Sequence, residues 1–176
     1  MTIAAAITWI LSNTGVILFV VALIVTIVKV RRAHFARRVV TTSYVLWGEM
    51  LFYVLGIGSI YAGLMHAYAQ WIVAPSIGWV PSPFEYELGW AEVALGIVAL
   101  MSLWRGYEFR LATTIVAFVF GWSVAAQHLH EMIYAHNYAP GNAGIILWFG
   151  DIAFPLFVVM LAWLSREAHE RTERTY

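Results

Sequence analysis

Residues 3–30 read IAAAITWILSNTGVILFVVALIVTIVKV, and no charged side chain interrupts them before Lys29. Such a run exceeds the roughly 20 apolar residues that a helix needs to cross a hydrocarbon core, and it has no compensating polar face. It is also far longer than a signal-peptide core and lacks a basic n-region, so it reads as a retained span. Working outward from it, four further apolar segments give five spans in all, at about 4–29, 40–69, 84–103, 111–136 and 144–165. Composition agrees, with 62% of the 176 residues hydrophobic and 11% charged. The expected fold is therefore an all-α integral membrane bundle in one domain, residues 1–176, without linker, low-complexity tract or internal repeat. The chain has no cysteine, which excludes disulfides, thiolate chemistry, iron–sulfur clusters and cysteine-ligated zinc.

The ten basic residues set the orientation. Lys29, Arg31, Arg32, Arg37 and Arg38 lie between the first two spans, Arg105 and Arg110 between the third and fourth, and Arg166, Arg171 and Arg174 after the fifth. With five spans, all three places share one side. The positive-inside rule then puts the N-terminus outside and the C-terminus in the cytoplasm of a multi-pass plasma (inner) membrane protein. The same residues serve as topology determinants and headgroup contacts, and zero net charge speaks against a nucleic-acid surface. The lipid bilayer is the expected partner, with a homo-oligomer or a larger membrane complex open.

Two outward connections carry information. Gln70 to Pro83 (QWIVAPSIGWVPSP) is rich in proline and tryptophan and reads as a loop lying at the interface, in position to serve as a lid. Asn137 to Gly144 (NYAPGNAG) contains turn chemistry, predicting a tight reversal in which Asn142 caps the fifth span.

Seven ionisable side chains fall in the outer half of the spans: His66, Glu85, Glu92, His128, His130, Glu131 and Asp151. Such groups are costly in hydrocarbon, so they face a bundle interior and mark a working site. At about 100° and 1.5 Å per residue, Glu85, Gly89, Glu92 and Gly96 share a stripe about 60° wide on the third span, where glycines admit a close neighbour. Ser123, Gln127 and Glu131 form a stripe on the fourth span, with His128 and His130 on opposite flanks about 160° apart. Glu92, His128 and Asp151 lie roughly 10–12 Å deep.

Imidazole and carboxylate donors without sulfur suit zinc, manganese, non-haem iron or copper(II). His128 and Glu131 are three residues apart, a spacing that lets both reach one ion, although the order is the reverse of the Glu-x-x-His of di-iron bundles. The candidate metal ligands are Glu92, His128, Glu131, Asp151 and His66, supported by Glu85, Gln127 and Asn142. The bland alternative is interhelical hydrogen bonding by neutral acids and histidines, which holds many bundles together without any ligand. Glu49 lies apart in the basic half, as a structural or proton-handling residue facing Arg105 or Arg110.

The stretch from Gln127-His128 through Glu131-Met132 and Ala135-His136-Asn137-Tyr138-Ala139-Pro140-Gly141-Asn142-Ala143-Gly144 to Asp151 resembles a family of small prokaryotic integral membrane proteins of unassigned function. Gly89-Trp90-Ala91-Glu92 and Ala94-Leu95-Gly96 are similar to the same family's third helix, so the resemblance covers about the C-terminal half. It implies that His128, the Asn-aromatic-Ala-Pro-Gly-Asn loop and the Asp151 acid recur, while the places of His130 and Glu131 vary. That favours His128 as the inward histidine and supplies no activity.

Three function classes follow. The first is a membrane metalloprotein, including a metalloenzyme acting on a small or lipidic substrate. The second is a subunit binding haem b or a quinone, with His66 and His128 as the one plausible axial pair. The third is a proton-coupled transporter with Glu85, Glu92 and Glu131 as a relay. Nucleotide loops, Gly-x-Ser-x-Gly and His-Glu-x-x-His motifs are absent from the sequence.

Overall fold

A computed structural model describes residues 13–173. Five of its helices are long and apolar enough to cross a membrane: α1 (Thr14–Phe35), α2 (Thr42–Tyr68), α3 (Phe84–Trp104), α4 (Tyr107–Tyr134) and α5 (Pro140–Arg166). Among the described residues every regular element is helical. The expected start of the first span, at residue 4, lies outside the described residues. At its other end α1 runs past residue 29 to Phe35, carrying Arg32 and His34 in its last turn, where cations complement the helix dipole. Arg37, at φ 54°, then breaks the helical path.

The start of α4 is set earlier than apolarity alone places it. Gly106 supplies an extended N-cap, and Arg110 remains helical because its guanidinium is satisfied inside the protein. It donates from Nε to Ser102 O (2.9 Å), from Nη1 to Tyr44 O (2.9 Å) and from Nη2 to Leu103 O (3.2 Å), and lies over the Tyr44 ring. α5 also begins early. Pro140 opens a single turn, Pro140–Ala143, at a position where the missing N–H is harmless.

Glycine decides how α2 and α3 pair. Gly63 and Gly89 lie backbone to backbone, and a Cβ on Gly96 would stand 2.8 Å from the Gly56 carbonyl oxygen. That is the close approach the glycine stripe on α3 predicts. α4 and α5 pair through Gly121, which sits against Pro155 and the Asp151 backbone. α1 packs along α2, and its Phe19 ring meets Phe149 and Phe157 of α5 edge-on at 5.4 and tilted at 5.9 Å.

The two hairpins meet in the basic half, where the first turns of α2 pack on the last turns of α5. Trp47, Met50, Leu51 and Val158 are fully buried there. Trp47 Nε1 donates to Thr114 Oγ1 (3.0 Å), and its ring meets Tyr107 edge-on. Val20, Ile24, Ile27 and Val28 of α1, like Ile115, Val116 and Val119 of α4, remain exposed on the outside of the bundle. An apolar exterior of this kind fits a lipid solvent.

Glu49 departs from expectation. Its Oε1 accepts from Lys29 Nζ at 2.6 Å, pairing α2 with α1 instead of with Arg105 or Arg110. Arg110 is engaged by three carbonyls instead.

Both α2 and α5 change winding. Leu51–Ile57 and Ile146–Ala153 are π-helical, with wider turns than the α-helix that flanks them. The long connection after α2 is also more regular than a loop. Gln70–Ser76 forms a short helix that exposes Trp71 and Ile72, and Gly78 turns the chain at φ 81°.

Candidate functional site

The half of the bundle opposite the basic connections holds the polar side chains in two groups, one per hairpin. On α2 and α3, the glycine contact brings the helices close enough for His66 Nδ1 and Glu85 Oε2 to pair at 2.5 Å. Glu85 is 3% exposed and His66 half-buried, so the carboxylate end of this pair is inside the protein. Glu92 follows two turns deeper on the same face of α3. Its Oε2 is buried with no hydrogen-bond partner.

On α4 and α5, His128 is 6% exposed and Asn142 fully buried. His128 Nδ1 lies 2.6 Å from Asn142 Oδ1, and Asn142 Nδ2 donates to His128 O (3.2 Å) and Asn137 O (2.8 Å). The other ring nitrogen, Nε2, points at Asp151 Oδ2 across 3.9 Å. That is too long for a hydrogen bond, and Asp151 Oδ2 is buried without one. Asp151 stands within the π-helical stretch of α5, whose wider turns set its direction.

The two connections lock together over these groups. Asn137 Nδ2 donates to Ile77 O (2.8 Å), and Gly141 lies against the Ser76 carbonyl and Ile77. Trp79 stacks on the His128 ring with centroids 6.0 Å apart and planes 24° apart. Gly78 is pressed on the Asn137 amide, where positive φ and the lack of room both favour glycine. Trp79, Asn137 and Gly78 were not among the candidate site residues; the tryptophans of the proline-rich connection and the Asn-aromatic-Ala-Pro-Gly-Asn loop that starts at Asn137 were the signals that could have found them.

The structure thus brings together His66 with Glu85, and His128 with Asn142 and Asp151, and leaves Glu92 Oε2 buried without a hydrogen bond. It leaves Glu131 apart. The Glu131 side chain accepts from Gln127 Nε2 at 3.5 Å along the surface of α4, so the three-residue spacing to His128 is not used. His130 is exposed and packs its ring on Tyr134. Asn142 does not cap α5: its side chain turns back onto α4, because Pro140 and Ala139 already begin the helix and Asn137 Oδ1 takes the Ala139 N–H. His66 and His128 are each engaged through Nδ1 within their own hairpin, the one by a carboxylate and the other by an amide.

Chemically the layer offers two imidazoles and three carboxylates in low dielectric. Among the described residues, no group of three His, Asp or Glu side chains stands at the mutual spacing of a metal's ligands. The two His–carboxylate pairs in the layer are His66–Glu85 at 2.5 Å and His128–Asp151 at 3.9 Å.

Residues 12–171 match the model of a family of unknown function, DUF6790, and since that covers nearly all of the chain, the protein belongs to this family. No curated protein and no solved structure matches it.

Proposed function

We propose that this member of the family is a plasma-membrane protein, N-terminus outside, that binds a divalent transition metal ion in the outer half of its bundle. The observation that carries the reading is a buried, unpartnered carboxylate oxygen, Asp151 Oδ2, 3.9 Å from His128 Nε2, with a second such oxygen, Glu92 Oε2, on α3. A buried carboxylate without a hydrogen bond is strongly disfavoured unless a proton or a cation meets it. A tetrahedral ion about 2.0–2.1 Å from nitrogen and about 2.0–2.2 Å from carboxylate oxygen would hold the two donors about 3.4 Å apart, so from 3.9 Å His128 Nε2 and Asp151 Oδ2 would close by about half an ångström on binding it. Nitrogen and oxygen donors without sulfur admit zinc, manganese, iron or copper(II). Glu92 is the third donor, reaching from the other hairpin, so that binding draws the two hairpins together. His66 and Glu85 stand behind it as a carboxylate–histidine pair.

A second reading, proton-coupled transport, is favoured by the lack of a three-ligand group among the described residues. In it Glu92 and Asp151 carry protons and no metal.

Thermal melting of the detergent-purified protein separates the two. Binding to the folded state alone stabilises it, by about 2.7 kcal/mol at a hundredfold excess over Kd. Melting should rise with one of these metals and fall back with chelator, and Asp151→Asn and Glu92→Gln should each remove most of the gain. A parent whose melting ignores every divalent metal and chelator, while shifting with pH, would refute metal binding and leave the proton reading.

A further inference from the structure

We infer that Asn142 is the positioning residue of this site: it fixes the single proton of neutral His128 on Nδ1 and turns the bare Nε2 toward Asp151. The ligand class rests on the cation-binding reading; the proton's place does not.

The assignment follows from what each atom can do. Asn142 Nδ2 lies 3.2 Å from His128 O and 2.8 Å from Asn137 O. Backbone carbonyls only accept, so the Asn142 atom facing them must be the amide NH2, and both of its hydrogens are then in use. The remaining atom, Oδ1, is an acceptor with no hydrogen to give. It stands 2.6 Å from His128 Nδ1, so that nitrogen must donate. A neutral imidazole carries one N–H, and Nε2 is left with its lone pair.

The frame around Asn142 permits no swap of its amide. Its side chain is 0% exposed. Asn137, which supplies one of the two carbonyls, is tied to Ile77 O through Nδ2 and to the Ala139 N–H through Oδ1. Trp79, stacked on the imidazole, restrains the ring plane.

The consequence is a ligand class. A lone pair on His128 Nε2 facing a carboxylate accepts an electron-pair acceptor, either a cation or an X–H donor, and rejects an anion. Remove Asn142 and the ring is free to move its proton to Nε2, where it donates to Asp151 and satisfies both groups with no ligand. Asn142 therefore keeps the pair in need of a cation, as outer partners of metal-binding histidines do.

The test is nitrogen NMR of histidine-labelled protein in metal-free micelles at neutral pH, with the His128 signal assigned by His128→Gln. Nδ1 should carry the proton and Nε2 should not. Asn142→Leu should shift the proton to Nε2 and weaken the binding of zinc, the probe ion, about 10–100-fold, the range seen for such partners. A parent with the proton on Nε2 overturns the inference whatever the variant does, as does a folded Asn142→Leu protein with an unchanged His128 signal. The two readings fail separately. A parent protonated on Nδ1 that ignores zinc refutes only the metal, and one protonated on Nε2 that binds zinc refutes only the role of Asn142.

Discussion

A histidine in a transmembrane helix is defined by what holds its two nitrogens, and the three on α2 and α4 show the range. His66 is committed to a carboxylate, His128 to an amide and a distant acid, and His130 packs at a tilt on Tyr134 at the surface. Helical angles alone separate His128 from His130, because about 160° of rotation cannot aim both inward. They do not reveal what each ring bonds, since partners come from loops whose path depends on packing. Asn142 is the instructive case: its turn chemistry was readable, but its reach back to α4 depends on the Asn137 and Pro140 geometry. At this scale the expectation is that His130→Ala and Glu131→Gln each change stability by no more than about 0.5 kcal/mol, as surface substitutions do. They should also leave any metal response of melting intact. Loss of that response in either variant would place α4's outer stripe in the site after all.

At the scale of elements, glycine and helix winding divide the labour. Gly63 and Gly89 have no room for a Cβ, because the facing atoms are backbone and cannot yield. Gly58, one turn away, would meet only the tip of Leu18 at 3.8 Å. Gly63→Ala should therefore destabilise by about 1–3 kcal/mol, as overpacking does, and loosen the His66–Glu85 pair. Gly58→Ala should be neutral or stabilising, since alanine is the better helix former. Unfolding in a denaturing detergent measures both, and equal effects would contradict the packing described. The glycine stripe was legible because small residues at helical spacing have one use between helices. The π-helical stretches were not. Apolar residues Leu51–Ile57 and Ile146–Ala153 carry no local mark of wider winding, which arises when the flanking turns are held by their separate contacts. Across such a stretch a fixed 100° per residue misplaces every later side chain, Asp151 included.

For the whole molecule, hydropathy and the ten basic residues determine the reading. Five spans were visible because hydrocarbon allows few alternatives to a long apolar helix. Their ends shifted where a side chain such as Arg110 found its partners inside the protein. With the N-terminus outside, a cysteine at Val80, which is 84% exposed, should react with a membrane-impermeant maleimide on intact cells. A cysteine at Arg105 should react only after the membrane is opened. The reverse pattern would invert the bundle and move the site to the cytoplasmic half.

The hairpin arrangement also orders events in time. Ribosomes deliver α2 and α3 to the membrane before α4 and α5, and domains and subunits assemble largely in that sequence. His66 and Glu85 can therefore find each other while the chain is still being made. His128, Asn142 and Asp151 must wait for the second hairpin. Under the proposed metal-binding reading, a nascent chain thus has no complete set of donors with which to capture an ion, and loading is therefore left to the finished protein.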